Sequence, residues 1–477
     1  MLRQMLRRIC IGVALISLFF NTVYVSYVSA ADINYVLDGK QRVPIPLTYK
    51  VKNVIDKLDS NTNTLKQPED IFIDRYDNIY IADTGNNRIV KYNSDGKLIY
   101  VYGDEDEKDK QFNNPMGLFV DDDEDIYVAD TANNCIAHLS PYGEFVEQFV
   151  KPESLLLNDS FTFEPTKIYI NSTGFIYILK SHSFVTIDAD NNFRGYVGAN
   201  QVEFDFTKVL IRLFASKEQK ERIAKNLPDS YTNFVIDKNG VIYATCYTEK
   251  QNQIVKLNSV GKNIFRKGSF GETIDDNNRP IKPRFIDIAV DANGIINALD
   301  QISGKVYQYD QEGNLLTVFG GIGTWKGTFQ MPSSISVDSH GNIYVLDRIL
   351  NNVQVFEPTS FIKLIHEAIG YYDEGEYVKA KDIWNEVIKF DKNYKLAHTG
   401  IAKVLMKERK WKEAMNEYEM ADDKAGYTKA FNEYRKSAIQ EYFGLIILIV
   451  IVIITILIII TGKVKNAIGN LIENFKM

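Results

Sequence analysis

Six residues that begin strand-like segments along the chain are the strongest candidates for chemistry. They are Asp70, Gly117, Lys167, Asn233, Asp287 and Ser334. Asp70, Asn233 and Asp287 supply hard oxygen ligands of the kind that Ca²⁺ prefers. Lys167 in the same set counts against a metal, because its ammonium group could neutralise the acids itself. If the segments surround one axis, the five members with functional side chains line the mouth of a central channel and form its predicted binding site.

The histidines do not form a comparable set. His340 lies in a predicted turn, His366 and His398 lie in a helical region, and His138 and His182 are isolated. A zinc site or a histidine base needs several histidines that converge on one place. The sequence also contains no Gly-x-Ser-x-Gly or Walker motif. The residue types therefore favour a protein without catalytic residues and leave a metal-dependent enzyme as the alternative.

The segments that carry the candidate residues repeat along the chain. The first repeat, residues 67–103, has four short apolar stretches separated by Asp, Asn and Gly turns, which predicts four strands. Equivalent places in successive repeats are marked by Asp74, Asp121, Asp237, Asp291 and Asp338. Adjacent marks lie 47 (121 − 74), 54 (291 − 237) and 47 (338 − 291) residues apart, which is about one four-stranded blade each.

The stretch Ala82-Asp83-Thr84-Gly85-Asn86-Asn87-Arg88-Ile89 resembles the NHL repeat, and similar stretches recur from residue 67 to 356. This resemblance implies a mainly β chain with a six-bladed β-propeller over residues 31–358. The sixth repeat contains only three strands, so residues 47–54 are predicted to add the fourth strand and to close the ring.

Several six-bladed propellers of this general kind are lactonases or lyases with a metal in the channel. The resemblance therefore implies an alternative function, a channel-centred, metal-dependent lactonase- or lyase-type enzyme that acts on a small extracellular substrate. Asp70, Asn233 and Asp287 would then be the metal ligands, with Ca²⁺ as the metal.

Residues 200–229 interrupt the strand pattern. Ser216-Lys217-Glu218-Gln219 has the form of a capping box that opens a polar helix, and Pro228 ends that helix. One interpretation is an excursion packed on its own blade. The other is an element that docks a partner or touches a membrane.

From residue 359 to 441 the apolar period changes to that of helices. Ala380 and Ala414 lie 34 residues apart (414 − 380), as do Tyr377 and Trp411 (411 − 377), which resembles two tetratricopeptide repeats. A third helix then runs into an apolar segment. The resemblance implies a peptide-binding groove, and a spacer that lifts the propeller off a membrane fits the same pattern.

Both ends of the chain point to a membrane. Residues 1–30 form a basic and then apolar leader with small residues before Ala31, which predicts a signal peptide, or an uncleaved anchor as the alternative. Residues 443–461 are long and apolar enough to cross a bilayer as one helix. Lys463 and Lys465 follow at once, which favours a cytoplasmic tail over residues 462–477 and an extracellular propeller.

The 477 residues carry 55 Lys and Arg against 62 Asp and Glu, a formal net charge of −7. This balance argues against a nucleic-acid binder, which needs a basic face. Cys135 and Cys246 fall in different repeats and are predicted to be free and buried, without a disulfide framework. Together these features predict a membrane-anchored extracellular binding or scaffolding protein, without a cofactor, whose propeller and helices contact protein partners at the cell envelope.

Overall fold

A computed structural model describes residues 34–56, 64–103, 112–154, 157, 161–171, 173–180, 183–197, 231–247, 252–259, 261–274 and 279–474. The predicted leader (residues 1–30) and the predicted insertion (residues 200–229) lie outside these ranges. The chain divides into two compact units, of which the first ends at His366 and the second begins at Glu367.

The first unit is built from short antiparallel strands. Three strands precede the first blade: β1 (Tyr35–Asp38), β2 (Gln41–Pro44) and β3 (Tyr49–Ile55). The first blade contains β4 (Asp70–Ile73), β5 (Ile79–Asp83), β6 (Arg88–Tyr92) and β7 (Leu98–Tyr102). The second contains β8 (Pro115–Val120), β9 (Ile126–Asp130), β10 (Cys135–Leu139) and β11 (Phe145–Phe149). The third contains β12 (Lys167–Ile170), β13 (Ile176–Lys180), β14 (Ser183–Ile187) and β15 (Phe193–Tyr196).

The remaining blades follow the same order with two variations. The fourth blade has three described strands, β16 (Tyr231–Ile236), β17 (Ile242–Cys246) and β18 (Ile254–Leu257). The fifth contains β19 (Phe285–Val290), β20 (Ile296–Asp300), β21 (Lys305–Tyr309) and β22 (Leu315–Gly320). The sixth contains β23 (Pro332–Val337), β24 (Ile343–Asp347) and β25 (Asn352–Pro358). The first strands of successive blades contact one another from β4 round to β23 and back to β4, so the six blades close into a propeller.

Closure of the ring uses the N-terminal segment. Strand β3 pairs antiparallel with β25, with Tyr49 opposite Pro358 and Ile55 opposite Val353. The outer strand of the sixth blade therefore comes from the start of the described chain, and its other three strands come from the end of the propeller. A ring closed in this way leaves no unpaired edge between the first and last blades.

The repeated aspartates shape the turn between the first two strands of each blade. In the first blade, Asp74 Oδ1 accepts hydrogen bonds from the backbone N–H groups of Tyr76 and Asn78, both at 2.8 Å. The same two bonds are made by Asp121, Asn171, Asp237, Asp291 and Asp338. The spacing seen in the sequence thus reflects a side chain that caps its own turn.

In four of the six blades, a second aspartate holds the loop that leads into the first strand. Asp83 Oδ1 accepts a 2.7 Å hydrogen bond from the N–H group of Lys66, and Asp130 Oδ1 does the same for Asn113. Asp300 and Asp347 repeat the contact in the fifth and sixth blades. Between these polar layers the blades stack through apolar faces, as where Ile81 and Val90 of the first blade pack in one cluster with Leu346 of the sixth.

An N-terminal hairpin that was not predicted extends the fifth blade. Strands β1 and β2 pair around a two-residue loop, and β1 joins β22, which makes a six-stranded sheet. Glu272, 4% exposed, fastens the hairpin by accepting bonds from Arg42 (2.8 Å to Nη2), Lys305 (3.1 Å) and Tyr35 (2.6 Å). Burial alone would raise the pKa of Glu272, but these three partners outweigh burial and lower it.

Helices follow the propeller, as predicted. They are α1 (Ser360–Asp373), α2 (Tyr377–Phe390), α3 (Lys395–Lys407), α4 (Trp411–Met420) and α5 (Lys424–Asn474). Helices α2 to α5 pack against one another in chain order. Trp384 of α2 lies against Gly400 of α3, where an added Cβ would come within 2.4 Å of the indole Nε1. The absence of a side chain at Gly400 therefore allows these two helices to approach closely.

Helix α5 is long and apolar enough to cross a membrane, by length and composition. Every residue from 445 to 460 is exposed. Nineteen residues at about 1.5 Å each span about 28 Å, close to the ~30 Å of a hydrocarbon core. The helix continues without a break on both sides of this apolar segment.

Candidate functional site

The six candidate residues occupy one equivalent place, called the ring position below, on the first strand of each blade. Each pairs with the next-to-last residue of the second strand, as Asp70 with Ala82 and Asp287 with Leu299. In four blades the register shifts immediately before the ring position. Such a bulge turns the following side chain out of the regular strand alternation.

Ring-position side chains link neighbouring blades by hydrogen bonds to the backbone. Asp287 Oδ2 accepts a 2.8 Å bond from the N–H group of Ile335, which follows Ser334. Ser334 Oγ accepts a 3.3 Å bond from the N–H group of Ile71, which follows Asp70. Asp70 Oδ2 accepts a 3.0 Å bond from the N–H group of Leu118, one residue beyond Gly117. Three successive side chains thus fasten the fifth, sixth, first and second blades in order.

Gly117 interrupts this series for a steric reason. A Cβ at this position would lie 2.4 Å from the carbonyl oxygen of Thr166 in the third blade. At the ring position, the second and third blades therefore approach with no side chain between their backbones.

Lys167 reaches from the third blade to the acid of the first. Its Nζ lies 2.6 Å from Asp70 Oδ1, and its side chain is 15% exposed. Burial opposes the charge of the ammonium group, but Asp70 and Asp287 outweigh burial and raise the pKa of Lys167. The lysine therefore stays charged and compensates an acid within the ring.

Ser334 joins the two acids. Its Oγ lies 2.9 Å from Asp70 Oδ1 and 2.5 Å from Asp287 Oδ2. A hydroxyl has one proton to donate, so both contacts are hydrogen bonds at once only when one carboxyl carries a proton. Burial raises the pKa of Asp287 to about 6, against the opposing effect of Lys167, so Asp287 is the acid that takes up this proton as the pH falls below that value. The cluster then contains one negative charge, on Asp70, and one positive charge, on Lys167.

Asn233 stands apart from the other four predicted site residues. Its Oδ1 accepts a 2.7 Å bond from the N–H group of the next residue, Phe234. The structure therefore brings together Asp70, Lys167, Asp287 and Ser334, and leaves Asn233 as a local cap on its own strand.

The cluster does not fit a Ca²⁺ ion. Both oxygens of Asp70 and both oxygens of Asp287 already accept hydrogen bonds from the protein. Within the described ranges, no group of three or more His, Cys, Asp and Glu side chains is arranged to hold a metal. A cation at Asp70 would have to displace the Lys167 ammonium group, and Asn233 contributes no oxygen to this cluster.

Comparison with known proteins supports the propeller. Residues 112–139 match the NHL repeat. This match covers the second blade from just before β8 to the end of β10. A comparison with curated proteins finds no match.

Solved structures with a similar chain trace include two enzymes and one β-propeller domain. Virginiamycin B lyase from Staphylococcus aureus is 14% identical with a TM-score of 0.40, over 65% of this chain and 99% of that one. A gluconolactonase from Xanthomonas campestris is 10% identical with a TM-score of 0.41, over 69% and 96%. The WD40 propeller domain of Doa1 is 11% identical with a TM-score of 0.40, over 66% and 98%. At these values the likenesses carry no argument about activity.

The cysteines in the described chain behave as predicted. Cys135 and Cys246 are both buried, and neither forms a disulfide within the described residues. Burial raises the pKa of the Cys135 thiol to about 11, which keeps it protonated and unreactive at neutral pH.

One histidine has a tertiary role that the sequence did not reveal. His366 near the middle of α1 places its Nε2 2.8 Å from Oε1 of Gln308 in the fifth blade. The Gln308 amide in turn donates to Tyr49 of β3 and Asn297 of β20, at 2.9 and 2.8 Å. Burial lowers the pKa of His366 to about 4. The signal that could have found it is a lone histidine on the apolar face formed by Ile362 and Ile365.

Proposed function

We propose that the protein is a membrane-anchored extracellular binding or scaffolding protein that uses its propeller and helical surfaces to contact protein partners at the cell envelope. The observation that carries this proposal is the hydrogen-bonded cluster of Asp70, Lys167, Asp287 and Ser334. Its carboxylates, lysine and serine bond to one another and to the backbone, so the residue types suited to chemistry serve to join blades. A binding function then belongs to the outer surfaces.

Anchoring rests on α5 and on the leader predicted for residues 1–30. A helix whose apolar residues 445–460 are all exposed needs a hydrocarbon environment to cover them. The leader would export the propeller, and Lys463 and Lys465 would then face the cytoplasm. Carbonate washing of membranes should leave the full chain in the pellet and release a chain that ends at residue 441. Added protease should digest the propeller only from the extracellular side, and release of the full chain by carbonate would contradict anchoring.

The helical segment supports a tetratricopeptide-like role. The turn after α1 and the turn after α3 have the same hydrogen bonds, with the N–H group of Glu376 bonded to Tyr371 and that of Lys410 bonded to Leu405. These turns lie 34 residues apart (410 − 376), the length of a tetratricopeptide unit. Two such helix pairs would raise the propeller above the membrane or present a groove to a peptide.

An exposed apolar patch on the outer strands of the first two blades is the best contact surface for a partner. Tyr142 is 81% exposed, and four apolar residues of the two outer strands are each about half exposed: Ile99, Tyr100, Phe145 and Val146. The ring centres of Tyr100 and Tyr102 lie 4.5 Å apart. The Tyr100 hydroxyl donates a hydrogen bond to the backbone oxygen of Tyr142, and the Tyr102 hydroxyl donates one to that of Pro141. Rigid, exposed aromatic side chains are typical of residues that anchor protein interfaces.

Crosslinking of the full chain in its own membrane, followed by affinity purification, tests this surface. We expect Tyr142→Ser with Phe145→Ser to remove a crosslinked partner that the native chain retains. Trp325→Ser is the matched control, because Trp325 is 77% exposed on the fifth-to-sixth blade connection. Equal loss of partner in both variants would contradict a role for the patch.

The alternative enzyme is tested by metal binding. Since Lys167 already neutralises Asp70, a calorimetric titration of the purified protein with Ca²⁺ should show no heat of binding. Tight binding that Asp70→Asn abolishes would contradict the scaffolding proposal and favour the metal-dependent enzyme.

A further inference from the structure

The turn between α3 and α4 contains an arginine where the fold prefers glycine. Arg409 has a φ of 60°, in the left-handed region that L-residues rarely adopt. The equivalent residue of the preceding helix pair, 34 positions earlier (409 − 375), is Gly375 with a φ of 83°. The two turns therefore share one backbone geometry, and only the first has the residue that this geometry favours. Arg409 therefore adopts this backbone conformation at a conformational cost that Gly375 does not have.

The residues that follow Arg409 also differ in charge from their counterparts in the first turn. The first turn reads Gly375-Glu376-Tyr377-Val378, and the second reads Arg409-Lys410-Trp411-Lys412. The first has one negative charge and the second has three positive charges. Because the two turns have the same hydrogen bonds, the difference lies in the surface that each presents.

The basic turn borders a cavity of about 600 Å³ that lies between α4 and α5. Its lining includes Arg409, Lys412, Trp411, Tyr434 and Lys436. Among all the lining residues, the cations Arg409, Lys410, Lys412 and Lys436 outnumber the acids Glu413 and Glu433. Lys410 is paired with Glu408 at 2.8 Å, and Lys412 Nζ lies 5.1 Å from the centre of the Tyr434 ring. The described part of the chain shows no ion pair for Arg409 or Lys436, so these two are free to meet an anion.

The position of the cavity along α5 indicates where that anion resides. Lys436 precedes Phe443, the start of the apolar segment, by seven residues, or about 10 Å along the helix. Gln440, which also lines the cavity, precedes it by three residues, or about 5 Å. The headgroup layer of a bilayer is about 5–7 Å thick on each side, and long basic side chains extend several ångströms toward it. With α5 inserted in a bilayer, the lower part of the cavity would lie at the depth of the lipid phosphates.

We infer that this cavity binds the phosphate headgroup of an anionic membrane lipid. Arg409 and Lys436 supply the charge that the phosphate requires, and Trp411 and Tyr434 supply aromatic surface of the kind common at membrane interfaces. The inference rests on the proposed anchoring by α5, since only an inserted helix places the cavity at the headgroups.

The test uses the full chain in nonionic detergent, mixed with equal amounts of phosphatidylglycerol and phosphatidylcholine. Native mass spectrometry then measures which lipid is retained. We expect the native chain to retain phosphatidylglycerol preferentially. Each basic residue at an anionic surface contributes about a fivefold change in binding, so Arg409→Gly should lower the retention about fivefold and Arg409→Gly with Lys436→Gln about 25-fold.

Two features keep this test decisive. Arg409→Gly suits a φ of 60°, so its thermal unfolding temperature should equal or exceed that of the native chain. Lys429→Gln removes an exposed cation of α5 that does not line the cavity, and it should leave lipid retention unchanged.

Three results would overturn the inference. The first is equal retention of both lipids by the native chain. The second is a loss of lipid retention in Lys429→Gln as large as that in Arg409→Gly. The third is binding of inorganic phosphate in lipid-free micelles as tight as that of phosphatidylglycerol, which would make the site one for free phosphate. Carbonate washing of the membranes from which the chain is extracted separates this inference from the proposed function. A chain that resists washing but shows no lipid preference contradicts only the headgroup site.

Discussion

Protonation of His366 should destabilise the propeller in a defined pH range. In the folded chain the imidazole of His366 contacts Gln308, and burial lowers the pKa of His366 to about 4. In an unfolded chain the pKa of a histidine is about 6.5. Between about pH 6.5 and 4, the unfolded chain therefore binds a proton at His366 and the folded chain does not. The free energy of unfolding therefore contains a contribution that is complete above about pH 6.5 and is lost as the pH falls toward 4.

The magnitude follows from the two pKa values. At pH 5 the unfolded state gains up to about 2 kcal/mol relative to the folded state, from about 1.36 kcal/mol per pKa unit. His366→Gln keeps a donor for Gln308 but cannot be protonated. The variant should lose stability at pH 7.5, where a native contact is altered, and should recover up to about 2 kcal/mol relative to the native chain by pH 5.

Urea unfolding of the full chain in detergent, followed by fluorescence at several pH values, measures this difference. His340→Gln is the control, because that side chain is 75% exposed in a hairpin turn, and its profile should run parallel to that of the native chain. A His366→Gln profile that also runs parallel to the native one from pH 7.5 to 5 would refute the linkage between burial of this ring and stability.

Three further predictions concern single residues. Asp287 should hold its proton near pH 5, so the protonated-carboxyl band in infrared spectra should weaken in Asp287→Ala, and an unchanged band would contradict the proton assignment. Gly117→Ala should lower the free energy of unfolding by about 2 kcal/mol through overlap with the Thr166 carbonyl, whereas Gly370→Ala within α1 should leave it unchanged or raise it by about 1 kcal/mol; equal effects in urea would contradict the steric argument. Glu272→Gln should cost about 2–3 kcal/mol and expose the N-terminal hairpin to protease, and unchanged cleavage would show that other contacts hold it.

The sequence predicted the blades because their signals are local. A turn aspartate such as Asp74 bonds to backbone only two and four residues away, so its effect appears as a regular spacing. The hairpin of β1 and β2 was missed, although Gly39, with a φ of 62°, begins a two-residue loop of the kind that joins paired strands. That signal is short and lies outside the repeats.

The candidate site was predicted only in part, because its chemistry depends on contacts between blades. Equivalent positions in the repeats placed Asp70, Lys167, Asp287 and Ser334 in one ring, and in the structure hydrogen bonds link these four side chains. The bond from Asp287 to the backbone of Ile335 spans two blades, and the depth at which Lys167 meets Asp70 depends on how blades stack. No spacing along the chain encodes such distances, and the local hydrogen bond between Asn233 and the N–H group of Phe234 could not be predicted from the repeats either.

The residues that define the repeat serve the fold, and this determines where function should be sought. Asp74 caps a turn, Asp83 holds a loop, and Asp70 joins two blades, so each polar side chain of the motif has its hydrogen bonds satisfied within the protein. Residues that depart from what the local structure prefers are different, since natural chains tolerate such departures where activity or binding requires them. Arg409 at a glycine position and Tyr142 exposed on a blade edge are departures of this kind. Substitution of these two residues should therefore impair function at little cost in stability, while substitution of the motif aspartates should impair function only by unfolding the propeller.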